Sequence, residues 1–584
     1  MLKKVALGIT DFEDIIGRNV FYVDKTYFIR DWYNSADQVT LITRPRRFGK
    51  TLTLNMVETF FSIRFHDRKD LFEGLSIWKE EEFRELQGAV PVINFSLANI
   101  KQDTYESMCY VMRTMLSMLF RRHSYLLESD KLSEFEKEKF SDILCEKASD
   151  EDSMSAILFL SQCMYEHFGK KVMILIDEYD TPMLEAYTAG YWEEAIKYIR
   201  RMFHAAFKDN PWLDRGLMTG ITRITQESIF SDLNNLSVVT TTTERFEESF
   251  GFTEGEVFDA LENYGFSDRK EVVKNWYDGF QFGKKKGIYN PWSILNFLKN
   301  GNLKPYWMNT SGNALVGKLV QEGSLRIKDE FETLLQGGSI VTKIDESITY
   351  AELSNDSKTV WSWFLTTGYV KIVQEREKDY EIQLTNYEVR EAFYHLVEKW
   401  FARSYDNYTG FIEMLLKGNL EGMQRYMEKV TLRTFSYFDV GSATSESEMA
   451  EQFYHGFTLG LIADLNDTHI LTSNREYGNA PSLCSAAGRA AHSDALRAGR
   501  LCGFGRYDVS IEPLDKTQDG IIIEFKVFDP KKEKTLDDTT RRALDQIRDM
   551  KYETDLKARG IRRVRKYGFA FRGKEVLIEE EKEQ

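Results

Sequence analysis

The sequence is short of the residues that build extracellular, fibrous or membrane-spanning proteins. Its 584 residues include only nine prolines and five cysteines, and the cysteines form no CxxC pair. This excludes proline-rich linkers and argues against a disulfide scaffold or a structural zinc site. No apolar run approaches the ~18 residues that a membrane helix needs, and the beginning of the chain has no signal-peptide core. We therefore expect a cytoplasmic protein without a membrane partner.

Two catalytic signatures are also missing. The eight histidines form no HExxH motif and show no other metal-ligand spacing. There is no GxSxG motif to mark the nucleophile of an ester hydrolase, so no motif supports the alternative of a carbohydrate or ester hydrolase.

The net charge of −15, from 77 basic and 92 acidic residues, argues against a histone-like nucleic-acid binder.

What the sequence does contain is enough apolar material for several packed cores. Hydrophobic residues make up 42% of the chain and aromatic residues 14%, and the length predicts roughly three or four domains. Up to about residue 250, short apolar runs alternate with longer amphipathic segments, which predicts βα units and a parallel sheet. The predicted strands are almost wholly apolar, as buried parallel strands are, and cover 39–42, 92–95, 172–176 and 216–219.

A candidate phosphate-binding loop follows the first of these strands. It ends in Gly49, Lys50 and Thr51 and leads into a helical pattern, which is the context that such a loop requires. Gly49 lets backbone N–H groups approach the phosphates, Lys50 neutralises their charge, and the Thr51 hydroxyl is placed to hold Mg²⁺. The usual pattern is GxxxxGK[ST], and Arg44 stands where its first glycine belongs. Taken alone, the segment fits either a divergent phosphate loop or a chance GKT tripeptide.

A second motif favours the phosphate loop. The apolar run 172–176 ends in Asp177 and Glu178, and carboxylates at the end of a buried parallel strand are placed to hold Mg²⁺ and to polarise an attacking water. The run that ends at Thr219 leads into a polar segment, in which Arg223 is a candidate γ-phosphate sensor or a surface arginine. Together these motifs predict binding of ATP or GTP with Mg²⁺.

Several segments of the sequence resemble a known family. They are YVDKT at 22–26, RPRRFGKT at 44–51, IDEYD at 176–180, and SIFS and LNNL between 228 and 236. In these segments the chain resembles the AAA-ATPase-like proteins of bacteria, which are usually fused to a C-terminal PD-(D/E)XK nuclease-like domain. The resemblance implies that ATP is the nucleotide, that Arg46 and Arg47 belong to its binding loop, and that Arg44 replaces the first glycine as a family trait.

A carboxylate–lysine constellation near the C-terminus fits that second domain. In the strand predicted over 521–528, alternation places Glu524 and Lys526 on the same face. Asp508 on the preceding predicted strand can face the same site, and Glu451 on an earlier helix can supply a further carboxylate. Two carboxylates that hold Mg²⁺ beside a lysine that orients water form the PD-(D/E)XK nuclease pattern. An ExK sequence in a strand is also a common surface pair, which is the structural alternative.

Residues that favour nucleic acid accompany this constellation. Gln546 lies on a predicted helix that resembles the Gln…Tyr helix of RecB-like nucleases, where it is placed to touch the site or a nucleic-acid backbone. The alternative is that Gln546 is an ordinary surface residue of that helix. The segment 541–574 carries twelve lysines and arginines against four acidic residues, a local charge of +8. Its densest part predicts phosphate-backbone contacts, with a solvated surface as the alternative, and consists of Arg562, Arg563, Arg565 and Lys566.

These features predict an α/β protein of four regions. They are an AAA-like P-loop ATPase domain over 1–250, a winged-helix-like lid over 251–315, a helical middle over 316–445, and a restriction-endonuclease-like α/β domain over 446–584. The last region contains the alanine-rich segment 479–503, whose composition is unlike its surroundings and indicates an inserted loop. If this segment loops out, the constellation around Asp508 survives, because lengthening a surface loop costs little.

We therefore expect an AAA-like protein that binds and hydrolyses ATP and is coupled to a Mg²⁺-dependent nuclease-like domain acting on DNA. The alternative is a nucleotide-dependent switch whose nuclease-like domain only binds nucleic acid or protein. The expected cofactors are ATP and Mg²⁺, the expected partner is DNA, and self-association into a homo-oligomer stays open.

Overall fold

The structure is a computed structural model. It describes residues 2–223, 230, 233–308, 316–317, 319–320, 324–335, 337–346, 357–376, 379–402, 408–434, 465, 468–473, 508–530, 532–550, 552–572 and 575–581. The inserted segment predicted over 479–503 and the candidate ligand Glu451 lie outside these residues. The chain divides into two compact units, the first formed by Met1–Ser324 with Thr333–Ala392 and the second by Leu325–Glu332 with Phe393–Gln584.

The α-helices are, in chain order, α1 (Phe12–Gly17), α2 (Tyr27–Asn34), α3 (Lys50–Phe61), α4 (Glu81–Arg84), α5 (Tyr105–Arg122), α6 (Glu134–Leu144), α7 (Asp150–Phe168), α8 (Thr181–Ala189), α9 (Trp192–Phe203), α10 (Glu254–Asn263), α11 (Lys270–Tyr277), α12 (Pro291–Asn300), α13 (Leu325–Leu335), α14 (Ser357–Thr367), α15 (Tyr387–Ala402), α16 (Tyr408–Lys417), α17 (Leu420–Thr434), α18 (Leu536–Met550) and α19 (Glu553–Ala558). In the described part of the chain, none of them combines the length and the apolar character that crossing a bilayer requires.

The strands are β1 (Val39–Thr43), β2 (Val92–Ser96), β3 (Val172–Asp177), β4 (Leu213–Gly220), β5 (Leu236–Val239), β6 (Phe252–Thr253), β7 (Phe280–Phe282), β8 (Lys285–Tyr289), β9 (Ile340–Thr342), β10 (Val370–Arg376), β11 (Asp379–Leu384), β12 (His469–Ser473), β13 (Val509–Pro513), β14 (Gly520–Val527), β15 (Val564–Arg572) and β16 (Glu575–Glu580). Strands β1 to β4 confirm the apolar runs from which they were predicted.

A five-stranded parallel sheet organises the first unit. Its strand order is β2-β3-β4-β1-β5, and every neighbouring pair runs parallel. Strands β1 and β3 are buried along their whole length, as expected for strands covered on both faces. Strand β4 lies between them, so the carboxyl ends of β1, β4 and β3 meet at one edge of the sheet. This edge carries the loop that starts α3.

Two small antiparallel sheets belong to the same unit. The first has the order β6-β8-β7, and β6, β8 and α10 to α12 share an apolar core around Val257, Tyr277, Tyr289 and Phe297. The second has the order β10-β11-β9 and lies in the region predicted as a helical middle. Helices α14 and α15 are present there as expected, but the amphipathic pattern did not predict the three strands.

The second unit is built on a mixed five-stranded sheet in the order β12-β13-β14-β15-β16. Strands β14 and β15 run parallel and the other pairs antiparallel. Strand β14 confirms the strand predicted over 521–528. Successive side chains of β14 point to opposite faces of the sheet and join two different cores. Ile521 and Ile523 pack with Phe569 on one face, and Ile522 packs with Ile547 of α18 on the other. The face of Ile522 is also the face of Glu524.

Candidate nucleotide and nuclease-like sites

The loop between β1 and α3 has the backbone shape that phosphate binding requires. Gly49 adopts a left-handed conformation with φ of 85° at the N-terminus of α3, where N–H groups without helical partners attract anions. Lys50 begins the helix, and only 3% of its side chain is exposed. Its Nζ donates to the carbonyls of Arg44 and Pro45, both at 3.1 Å, and lies 3.8 Å from a Glu178 carboxylate oxygen.

Arg44, in place of the usual first glycine, is a buried structural residue. Its guanidinium donates to the carbonyls of Thr43 at 3.0 Å and Thr240 at 2.6 Å, and it lies 4.4 Å from the centre of the Phe282 ring. Burial lowers the pKa of Arg44 to about 9, against the opposing effect of nearby carboxylates. The side chain therefore ties the phosphate loop to the end of β5 and to β7, which a glycine could not do.

Oxygen ligands suited to Mg²⁺ meet beside Lys50. The Thr51 hydroxyl donates to Asp177 Oδ2 at 2.7 Å, and the Thr219 hydroxyl donates to Asp177 Oδ1 at 2.6 Å. Burial and the neighbouring Glu178 raise the pKa of Asp177, while the two hydroxyls oppose that rise. Hydroxyl and carboxylate oxygens are ligands that Mg²⁺ accepts, so Thr51 and Asp177 fit the predicted metal role. Sequence reasoning did not single out Thr219.

Glu178 lies where the predicted water-polarising carboxylate should be. Its backbone is left-handed, with φ of 52°, which is uncommon for a residue with a side chain and is often found at functional sites. The carboxylate lines the same cleft as Lys50 and Thr51. The role of Glu178 in polarising water stays a prediction that this placement supports.

The last two residues of the IDEYD segment hold the end of β4. One Asp180 oxygen accepts from the backbone N–H groups of Ile221 and Thr222, both at 2.9 Å, and from the Thr222 hydroxyl at 3.0 Å. The Tyr179 hydroxyl donates to the Thr222 carbonyl at 2.6 Å. Arg223 follows directly, but among the described residues it is not one of those that line the cleft. Its sensor role stays a prediction, and Asp180 is a positioning residue that sequence reasoning missed.

The cleft over the phosphate loop is large enough for a nucleotide. Its volume is about 610 Å³, within the range of small-molecule sites. Both polar and apolar residues line it, and those used below are Arg46, Arg47, Gly49, Lys50, Thr51, Glu178, Tyr187 and Trp292. All five loop residues predicted to contact nucleotide therefore face one space.

A buried carboxylate binds α12, the helix whose first turn contributes Trp292 to this cleft. Glu388, at the start of α15, accepts from the Ser293 hydroxyl at 2.8 and 3.0 Å and from the Trp307 backbone N–H at 2.6 Å. Burial raises its pKa to about 8, although the hydrogen bonds oppose the rise. In the sequence Glu388 is one acid among many at a helix start, so no pattern marked it.

The predicted carboxylate–lysine constellation assembles in the second unit. Lys526 Nζ donates to Glu524 Oε1 at 3.0 Å, and the same oxygen accepts a hydrogen bond from the Gln546 amide on α18. Asp508 immediately precedes β13 and accepts from the Phe525 backbone N–H at 2.7 Å. The pKa of Tyr552 is raised, mainly by burial and further by the charges of Glu524 and Asp508. These groups therefore share one site.

Two of the three carboxylates predicted to hold a metal at this site are among the described residues. Within the described residues, no group of three or more His, Cys, Asp or Glu side chains has the arrangement of a metal site. Asp508 and Glu524 supply two carboxylates, which is a donor set that fits Mg²⁺. The third predicted carboxylate, Glu451, lies outside the described residues, so its role stays a prediction.

The predicted basic contacts divide into two kinds. Arg565 pairs with Asp519 at 3.0 Å, and Lys566 pairs with Glu553 at 3.0 Å, with 16% and 15% of their side chains exposed. Arg563 is more than half exposed, and Arg562 is exposed as well. Arg565 and Lys566 are therefore largely buried against acidic side chains, whereas Arg562 and Arg563 are exposed, and Arg563 also lies 3.8 Å from Asp519.

Both candidate sites lie in segments of the chain that match known families. Residues 6–230 match the AAA-ATPase-like family model, which is described as a predicted AAA-ATPase. Residues 496–581 match the model of the PD-(D/E)XK nuclease superfamily. The chain carries an AAA-ATPase-like domain and a PD-(D/E)XK nuclease-superfamily domain. The AAA-ATPase-like match covers the phosphate loop, Asp177 and Glu178, and the nuclease-superfamily match covers Asp508, Glu524 and Lys526. The expected fold and family resemblance are thereby confirmed.

A relative from Azotobacter chroococcum mcd 1 extends the similarity beyond single domains. It is 24% identical over 394 residues, which cover 66% of this chain and 68% of the relative. That protein is described as an uncharacterized protein in the vnfD 5' region. That description names no activity.

Proposed function

We propose that the AAA-ATPase-like domain binds ATP with Mg²⁺ and hydrolyses it. The observation that carries this proposal is the convergence of Lys50, Thr51, Asp177 and Glu178 at the carboxyl edge of one parallel sheet. Lys50 would neutralise the phosphates, Thr51 and Asp177 would hold the metal, and Glu178 would polarise the attacking water. A metal held by Thr51 and Asp177 would neutralise charge at the phosphoryl oxygens.

The test is the ATPase rate of purified Lys50→Ala. We expect a loss of at least a hundredfold in turnover, because the variant removes a buried ammonium that lines the cleft beside the phosphate loop. Lys208→Ala is the matched control, since Lys208 is an exposed lysine of the same unit. Turnover by Lys50→Ala at the rate of the control would refute the assignment of the phosphate loop.

We propose further that the second domain cleaves DNA in a Mg²⁺-dependent reaction that ATP turnover gates. Support comes from Glu524, which is 1% exposed and accepts from both Lys526 and Gln546. Burying a charge requires compensating partners, and a functional site gives a reason to keep one there. Lys526 would orient the attacking water and stabilise phosphate charge.

Cleavage of linear and supercoiled DNA by the full chain tests this proposal. Lys526→Ala should abolish cleavage, whereas Lys532→Ala, which removes an exposed lysine nearby, should leave it unchanged. Undiminished cleavage by Lys526→Ala would overturn the catalytic assignment. Mg²⁺-independent DNA binding without any cleavage by the unmodified chain would favour the switch that only binds.

A further inference from the structure

Arg47 lies over an aromatic ring in the cleft above the phosphate loop. Its guanidinium lies 4.6 Å from the centre of the Trp292 ring, and both residues line the cleft over the phosphate loop. The backbone of Arg47 is left-handed, with φ of 66°. Because L-residues adopt this conformation rarely, the loop presents Arg47 in one specific direction, toward the first turn of α12.

Two other side chains, one of them the N-cap of α12, bind the backbone of the phosphate loop. The Arg46 carbonyl accepts from the Asn290 amide at 3.2 Å and from the Trp307 indole N–H at 3.1 Å. Asn290 in turn caps α12, since its side-chain oxygen accepts from the Trp292 N–H at 2.9 Å. Asn290 therefore joins the first turn of α12, which carries Trp292, to the backbone of the phosphate loop.

Stacking is a way of orienting an arginine without using its hydrogen-bond donors. The guanidinium is planar, and its five N–H groups point outward in that plane. A ring that contacts the face of the guanidinium is attracted by its charge and does not occupy those donors. A stacked Arg47 therefore remains able to form paired hydrogen bonds with phosphate oxygens.

We propose that Trp292 is a positioning residue for triphosphate binding, which acts by holding Arg47 toward the phosphates. This inference rests on the proposed binding of ATP by the same cleft. In this proposal Trp292 acts through Arg47 and not through the nucleobase. The effect of replacing Trp292 should therefore depend on whether the ligand carries phosphates. Tyr187 and the apolar residues that line the cleft would then contact the rest of the nucleotide.

The test compares MgATP and adenosine binding by calorimetry on full-length variants. Trp292→Leu, which keeps an apolar side chain but removes the aromatic face, should weaken MgATP binding about three- to tenfold and leave adenosine binding unchanged. Trp292→Phe should restore most of the MgATP affinity. An equal loss for MgATP and adenosine would overturn the proposal, because it would place the base on Trp292.

A double-mutant cycle gives the sharper result. Arg47→Ala alone should weaken MgATP binding, and adding Trp292→Leu should cause no further loss, since a positioning residue has nothing left to position. Additive losses would overturn the proposal. Trp78→Leu is the matched control, because Trp78 also stacks on an arginine, Arg84, at 5.8 Å but does not line the described cleft.

The proposed function and this inference fail in different ways. If the unmodified chain and Trp78→Leu bind no MgATP, nucleotide binding itself is refuted. If they bind MgATP and Trp292→Leu binds it equally well, only the role of Trp292 is refuted. The ATPase assay adds a second readout, in which Trp292→Leu should raise KM for ATP and leave kcat close to that of the unmodified chain.

Discussion

Glu388 links proton uptake to the stability of the first unit. Its carboxyl group is buried, and its pKa is raised to about 8 from an ordinary value of 4.5. Between these two pH values the unfolded chain binds fewer protons at this group than the folded chain does. Stability therefore falls as pH rises through this window. The group favours folding most below its unfolded pKa.

We predict that Glu388→Gln removes this pH dependence. The neutral amide carries no buried charge at pH 8, so the variant should lose less stability between pH 5 and pH 8 than the unmodified chain. The difference should amount to a few kcal/mol, because one pKa unit corresponds to about 1.4 kcal/mol. Urea unfolding at both pH values measures it, with the exposed Glu82→Gln as control. Identical pH profiles for the two variants would contradict the assignment.

Some single residues could be predicted from the sequence and others could not. Lys50, Thr51 and Asp177 follow apolar runs directly, and their positions at strand ends fix them in space. Glu388 and Asp180 gave no such signal, because their roles depend on partners far away in the chain. The ion pairs of Arg565 could not be predicted for the same reason, since Asp519 and Glu580 come from other segments of the chain.

At the scale of elements, the end of β4 is packed tightly against the IDEYD segment. A Cβ atom on Gly220 would lie 2.5 Å from the Tyr179 ring and 2.8 Å from Asp180 Oδ1. Tyr179 is fully buried and its hydroxyl is bonded to Thr222, so the ring has little freedom to move. Glycine is required here for close approach and not for its backbone conformation.

We predict that Gly220→Ala destabilises the first unit by about 2 kcal/mol, the usual cost of overpacking a core. It should also lower ATP turnover, because moving Tyr179 or Asp180 displaces the neighbouring Glu178. Thermal unfolding and the ATPase rate measure the two effects. Gly255→Ala is the control, since a Cβ there meets nothing within 4 Å. A Gly220→Ala variant as stable and active as Gly255→Ala would show that the segment is loosely packed.

Strand β14 of the nuclease-like domain shows what the alternation of side chains along a strand can and cannot predict. Alternation along β14 correctly placed Glu524 and Lys526 on one face, because the period of a strand is fixed by its geometry. It could not decide whether Gln546 touches Glu524, because that depends on how α18 is rotated against the sheet. The packing of Leu544 and Ile547 around Ile522 sets this rotation, and it is a tertiary property.

At the scale of the whole molecule, the two candidate sites belong to different compact units. The nucleotide site lies in Met1–Ser324, and the carboxylate–lysine site lies in Phe393–Gln584. A ligand that binds only the folded form stabilises the unit that holds its site, in proportion to the logarithm of its concentration. The two sites can therefore be distinguished by their effects on unfolding.

We predict that MgATP raises the unfolding temperature of the first unit by several degrees. At a hundredfold excess over Kd the stabilisation is about 2.7 kcal/mol, which is a measurable shift even for a large domain. Lys50→Ala should abolish the shift, and Glu524→Gln should preserve it. Scanning calorimetry gives the measurement. A shift that disappears in Glu524→Gln and persists in Lys50→Ala would place the nucleotide in the other unit.

The buried guanidinium of Arg44 has a consequence for how such loops are recognised. A phosphate loop with glycine at this position has no side chain to anchor, whereas Arg44 needs the carbonyl of Thr240 and the rings of Phe250 and Phe282 around it. The arginine and these two aromatic residues should therefore change together between related proteins. A search for glycine-rich signatures passes over this loop, and a search for the arginine together with its aromatic supports would find it.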